Sequence, residues 1–124
     1  MSIGIGQVNK KAQNVNIDTK KNSVVVSDFL EKELNLDKKQ KKSCLIAYAE
    51  YANNLNITRK KLKEKGFDMK MLNQELMRRS VKLIKMRDLK IKEILSKKQF
   101  LKYNKETIKF INPLTLRVEK RSKI

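Results

Sequence analysis

From Gln7 to Asn112 the chain contains a single glycine, Gly66, and no proline. Turns between β-strands draw on both residue types and a phosphate-cradling loop needs several glycines, so an all-β fold and a nucleotide loop are both excluded. Helices remain, and 124 residues fit one domain. No stretch approaches the roughly 20 apolar residues that a membrane span requires.

The chain has no histidine and one cysteine, Cys44. It therefore lacks the ligand sets of zinc sites and the imidazole base of nucleophilic triads. No enzyme, cofactor or metal is expected, and Cys44, which has no partner for an internal disulfide, reads as a small buried group on a helix, with an intermolecular bridge as the alternative. Lys and Arg number 31 against 13 Asp and Glu, a formal charge of +18, which predicts an acidic or polyanionic partner.

Residues 1–27, rich in Asn and Lys with apolar residues in no period, read as a disordered lead. Its start, Met1 to Gln7, is open to two readings: a plain tail, or the stump of an export signal that begins upstream. Asp28 and Glu31 have capping-box spacing, which predicts a short helix through Phe29, Leu30 and Leu34, ended by Asn35. Asp37 and Gln40 repeat that spacing and start a second helix at Lys38. Leu45, Tyr48, Ala52, Leu55 and Leu62 form its apolar face, flanked by Cys44, Ala49 and Tyr51, until Gly66 stops it in the left-handed region. The Asn-rich stretch 53–58 is its weak point, open to a kink.

Asp68 caps a third helix of about 27 residues, long enough to span about 40 Å. Its core stripe is Leu72, Leu76, Leu83, Ile91 and Ile94, widened by Met69, Met77, Ile84 and Leu95. On the opposite side, a 100° step per residue aligns Arg78, Lys82, Lys85 and Lys92 with Met71 and Leu89. Ser96 and Gln99 form another capping pair, stapled by Leu95 and Phe100. The fourth helix carries Phe100, Leu101, Ile108 and Ile111 until Pro113 ends it, and residues 113–124 read as a basic tail. The wide apolar stripe of the third helix predicts a homodimer; a fourth helix folded back over the bundle would cover the same surface in a monomer.

Leu36-Asp37-Lys38-Lys39-Gln40 and Leu95-Ser96-Lys97-Lys98-Gln99 bracket the two long helices. This arrangement, over residues 28–112, resembles the LTxxQ-motif family of Spy- and CpxP-like periplasmic proteins. The second copy is the closer match, since Met86 to Leu95 before it and Phe100-Leu101-Lys102-Tyr103 after it look like the family's run through its second motif. Asp37 and Ser96 stand where the family favours Thr, and all three residue types cap helices.

The resemblance implies an all-α chain of four helices whose two long antiparallel helices form a hairpin, cradle-like and dimeric. Such a chain binds unfolded or stressed proteins without ATP, or senses envelope stress. It would be periplasmic if an upstream start supplies a full signal, and otherwise cytoplasmic. Leu36, Asp37, Gln40, Leu95, Ser96 and Gln99 would be structural caps. Clients that are unfolded or acidic would meet Met71, Arg78, Lys82, Lys85, Met86, Leu89 and Lys92, where Met adapts to varied apolar partners and the cations attract acidic segments. The same stripe can also be no more than a solvated helix face. A different class, a basic helical nucleic-acid binder, accounts for the charge, although no aromatic platform or helix-turn-helix spacing accompanies it. The third reading is a helical interaction protein of unassigned partner.

Overall fold

The computed structural model describes residues 18–119. Its helices are α1 (Thr19–Leu34), α2 (Lys38–Glu64), α3 (Met69–Ile94) and α4 (Lys97–Lys105), followed by a 3-10 turn, Thr107–Phe110. Among the described residues the one β pairing is an antiparallel bridge between Ile111 and Val118. The protein is all-helical, as its sequence predicts.

α1 corrects the expected boundary. Its cap is Asp18, which accepts from the Lys21 amide at 3.0 Å, so residues 19–27, assigned to a disordered lead by their sequence, are helical. Its buried face is Ser23, Val26, Ser27, Leu30 and Leu34. Two serines in that stripe conceal its apolar period, and Ser27 is accommodated by donating its hydroxyl proton to the Val24 carbonyl at 2.9 Å. Asp28 caps nothing; with Glu31 it grips the Lys41 ammonium of α2, at 2.8 and 3.0 Å. The reading of Met1 to Gln7 falls outside the described residues.

α2 runs as helix through Asn53 to Thr58 and ends before Gly66, whose φ is +86°. It lies between α1 and α3 and packs on both. Successive contacts with α3 pair Gln40 with Ile94, Glu50 with Lys90, and Tyr51 with Arg87, so numbering rises along one helix as it falls along the other. The buried apolar residues form one cluster running from Val26 through Leu55, Leu76 and Ile91 to Leu116.

The remaining face of α2 is covered by the C-terminal part of the chain. α4 stops at Lys105 rather than continuing to Pro113, and the 3-10 turn closes with amides of Lys109 and Ile111 bonded three residues back, at 3.2 and 3.1 Å. That tighter turn buries Thr107 and sets the Phe110 ring edge-on to Phe29 of α1, centroids 6.2 Å apart. Tyr103 takes the core position on α4, while Leu101 is exposed.

The expected basic tail is also folded as far as Glu119. Asn112 Oδ1 accepts from the Leu114 and Thr115 amides at 2.9 and 3.1 Å and nucleates a turn. Tyr51 O–H donates to the Pro113 carbonyl at 2.7 Å, Arg59 Nη2 to that of Leu114 at 3.0 Å and Asn22 Nδ2 to that of Thr115 at 2.8 Å. Leu116 sits at φ +60°, an unfavourable region for a branched side chain, and is fully buried. Burial of a leucine contributes about 1.5–3 kcal/mol, enough to offset the roughly 1–2 kcal/mol of left-handed strain.

Among the described residues α3 has neighbours on its inner side only, so its core stripe is narrower than expected: Met77 faces water on the flank and Met69, the first residue of the helix, faces water beyond the end of the core. Substitution should expose the difference. Leu55→Ala, at a fully buried site, should cost about 2–5 kcal/mol. Met77→Ala should stay within about 0.5 kcal/mol, as read from denaturant midpoints.

Candidate functional site

Four helix ends converge where the two Gln motifs lie. In the first, Asp37 Oδ1 accepts from the Gln40 amide at 2.7 Å and Gln40 Oε1 accepts from the Asp37 amide at 3.1 Å. In the second, Ser96 Oγ accepts from the Gln99 amide at 3.1 Å and Gln99 Oε1 from the Ser96 amide at 2.9 Å. The side-chain amides then cross. Gln40 Nε2 donates to Gln99 Oε1 at 2.8 Å and to the Ile94 carbonyl at 3.3 Å; Gln99 Nε2 donates to the Leu34 carbonyl at 3.2 Å. Starts of α2 and α4 thereby meet ends of α1 and α3, and positive helix ends sit beside negative ones. Leu36 and Leu95 are buried beneath. A groove of about 430 Å³ opens beside the pair, lined by Glu33, Leu34, Asn35, Ser96, Lys98, Gln99 and Lys102. Gln40→Ala and Gln99→Ala should each destabilise, and the double variant should cost less than their sum by about 0.5 kcal/mol or more, measured by a denaturation cycle.

The inner side of α3 carries a polar network that hydrophobic periodicity does not reveal. Arg87 interrupts the apolar stripe midway between Leu83 and Ile91 and is buried. Its guanidinium carbon lies 4.6 Å from the ring centroid of Tyr48 and 4.5 Å from that of Tyr51. Arg87 Nε donates to Asp88 Oδ1 at 2.9 Å, and the Tyr103 hydroxyl donates to the same oxygen at 2.7 Å. Tyr103 has one proton, so Tyr48 is the donor in the 2.6 Å contact between the two hydroxyls. A cation within an apolar stripe, with tyrosines on the facing stripe, was the available signal.

Burial pushes the Tyr51 phenol up to about 12, and those of Tyr48 and Tyr103 further up. The unfolded chain gives up these protons near pH 10. Stability carried by the neutral phenols is therefore fully present below that pH and is lost progressively as pH rises above it through the raised folded-state values. In an alkaline titration the phenolate absorbance should rise together with loss of the helical circular-dichroism signal. Phenolate appearing near pH 10 with the helices intact would mean that the rings are open to water.

The outer side of α3 faces solvent along its length. Met71, Arg78, Lys82, Lys85, Leu89 and Lys92 are all exposed there, within an arc of about 80° at 100° per residue. Met86 is exposed on the flank toward α2, at the rim of a shallow depression that includes Ala47, Tyr51 and Leu83. Met69, Met77 and Val81, absent from the sequence-based surface, are exposed as well. Arg78 and Arg79 both bind Glu75 and hold its carboxyl down to about 2.

Most other carboxylates are engaged internally, in the Asp18, Asp37 and Asp68 caps, the Lys41 and Lys90 ion pairs, and the Arg87 network. Lys82, Lys85 and Lys92 make no ion pair among the described residues. Neither a protein-family model, a curated protein nor a solved structure matches the chain. Among the described residues, no group of His, Cys, Asp or Glu is arranged to hold a metal, and no helix is long and apolar enough to cross a membrane.

Proposed function

We propose that this protein is an ATP-independent, chaperone-like binder of unfolded or acidic polypeptides, and that the outer side of α3 is its binding surface. One observation carries the reading: Met71 and Leu89 stand in water on the outer side of α3, with Met77, Val81 and Met86 exposed on its flanks, beside Lys82, Lys85 and Lys92, which make no ion pair among the described residues, although the core beneath is filled by other residues. Scattered Met and Leu offer adaptable apolar contacts, and the excess cations draw acidic segments from a distance.

The proposal extends to the LTxxQ-motif resemblance and to the periplasmic placement and antiparallel hairpin it implies. What supports that extension is the pairing of the two Gln motifs across the long helices. The homodimer belongs to it too, with a smaller surface than the sequence suggests, because α4 and the Asn112 turn already cover α2.

Aggregation of a denatured client should slow in the presence of the protein without ATP, and the effect should weaken but survive at moderate salt, because apolar contacts share the load. The opposing result is affinity for duplex or single-stranded nucleic acid that falls linearly with the logarithm of salt. A slope flattened by several units when Arg78, Lys82, Lys85 and Lys92 are replaced by Gln, with no client protected, would assign the surface to phosphate instead.

A further inference from the structure

Every methionine among the described residues lies on α3 and is exposed: Met69 by 62 %, Met71 by 51 %, Met77 by 44 % and Met86 by 47 %. The buried apolar cluster contains none. The one thiol, Cys44, is the reverse, with no accessible surface and a proton held up to about 11 by burial. Its thiolate, the form that oxidants attack, is therefore scarce and unreachable. Sulfur chemistry in this fold is divided between a sealed thiol and four open thioethers on one helix.

We infer that Met69, Met71, Met77 and Met86, spread along and around α3, are modification sites for peroxide-class oxidants, at which sulfoxidation weakens the hold on unfolded polypeptide without loosening the core. In the reaction, a thioether lone pair attacks one oxygen of hydrogen peroxide. The S–O bond forms as the O–O bond breaks, and the departing hydroxide takes the proton of the transferred oxygen and leaves as water. Sulfur is oxidised by two electrons and the peroxide is reduced by two. Each flexible apolar group becomes a polar sulfoxide, reversible by sulfoxide reductases. The lysines between them are untouched, so the attraction for acidic chain persists while its apolar component falls. This inference rests on the client-binding reading of the α3 surface and adds to it a means of regulation.

The full chain is treated with hydrogen peroxide, mapped by peptide mass spectrometry, and titrated with reduced, carboxymethylated α-lactalbumin, an acidic unfolded polypeptide. Oxygen should be added at the four α3 methionines while Cys44 stays a thiol and the melting temperature is retained; Met1 is distinguished by its own peptide. Affinity for the probe should fall about tenfold, its salt dependence should steepen, and methionine sulfoxide reductase should restore both. In a variant carrying Met69→Leu, Met71→Leu, Met77→Leu and Met86→Leu, affinity with and without peroxide should be the same. Oxidised and unoxidised protein binding the probe equally well would overturn the inference and leave the proposed function standing. Cys44 oxidised ahead of the methionines, or melting lost on their oxidation, would also overturn it. If the unoxidised protein does not bind the probe, the client-binding reading fails and the regulatory inference falls with it.

Discussion

Asp88 is where three helices are joined. Its Oδ1 receives the Tyr103 hydroxyl from α4 and Arg87 Nε from its own helix, while Tyr103 in turn receives the Tyr48 hydroxyl from α2. Consecutive residues on a helix diverge by about 100°, which lets Arg87 enter between the rings of α2 as Asp88 turns toward α4. A buried guanidinium without its carboxylate would be an uncompensated charge, and truncating one partner of such a pair typically costs about 3–5 kcal/mol. The register of α3 against α2, and therefore which residues of α3 are left outside, follows from this clamp, because apolar stripes alone would tolerate a slide of one turn.

The paired Gln motifs constrain the other end of the fold. Each glutamine satisfies a helix-start amide with its oxygen and a helix-end carbonyl with its nitrogen, so groups left over at four helix ends answer one another. This arrangement tolerates first turns that carry lysines and no acid, an unfavourable choice beside a positive helix end. Carbonyl ends of α1 and α3 lie against those starts and offset it.

Capping chemistry was legible at most helix ends: Asn35, Asp37, Gly66, Asp68 and Ser96 all sit at boundaries as their types and spacings require, whereas Asp28 and Glu31, with the same spacing, lie inside α1 and pair with Lys41. These signals are local, and local physics decides them. The start of α1 was not legible because Ser23 and Ser27 occupy core positions that hydrophobic periodicity reads as polar. The early end of α4 and the folding of residues 113–119 depend on contacts with Asn22, Phe29, Tyr51 and Arg59, all distant in sequence. On α3, the outward position of Arg78, Lys82, Lys85, Leu89 and Lys92 could be read from the helical period. The exposure of Met77 could not, because it depends on how few neighbours α3 has among the described residues, nor could that of Met69, which depends on where the packed core ends along the helix.

That shortage of neighbours also explains why methionine belongs on the outside here. Branched residues such as Val26, Ile91 and Ile111 fill the interior, where stiff side chains lose little freedom and specify one packing. An unbranched thioether has more freedom to lose on burial, so in a fixed core it is the poorer choice. On a solvent face it keeps that freedom until a partner arrives and can fit partners of different shape. Lysines beside it act over longer distances but weaken as salt rises. A surface made of both attracts by charge and holds by apolar contact. Removing the apolar part therefore leaves a surface that still attracts but releases more readily, and this separates it from a purely basic face, whose attraction and hold are the same charge.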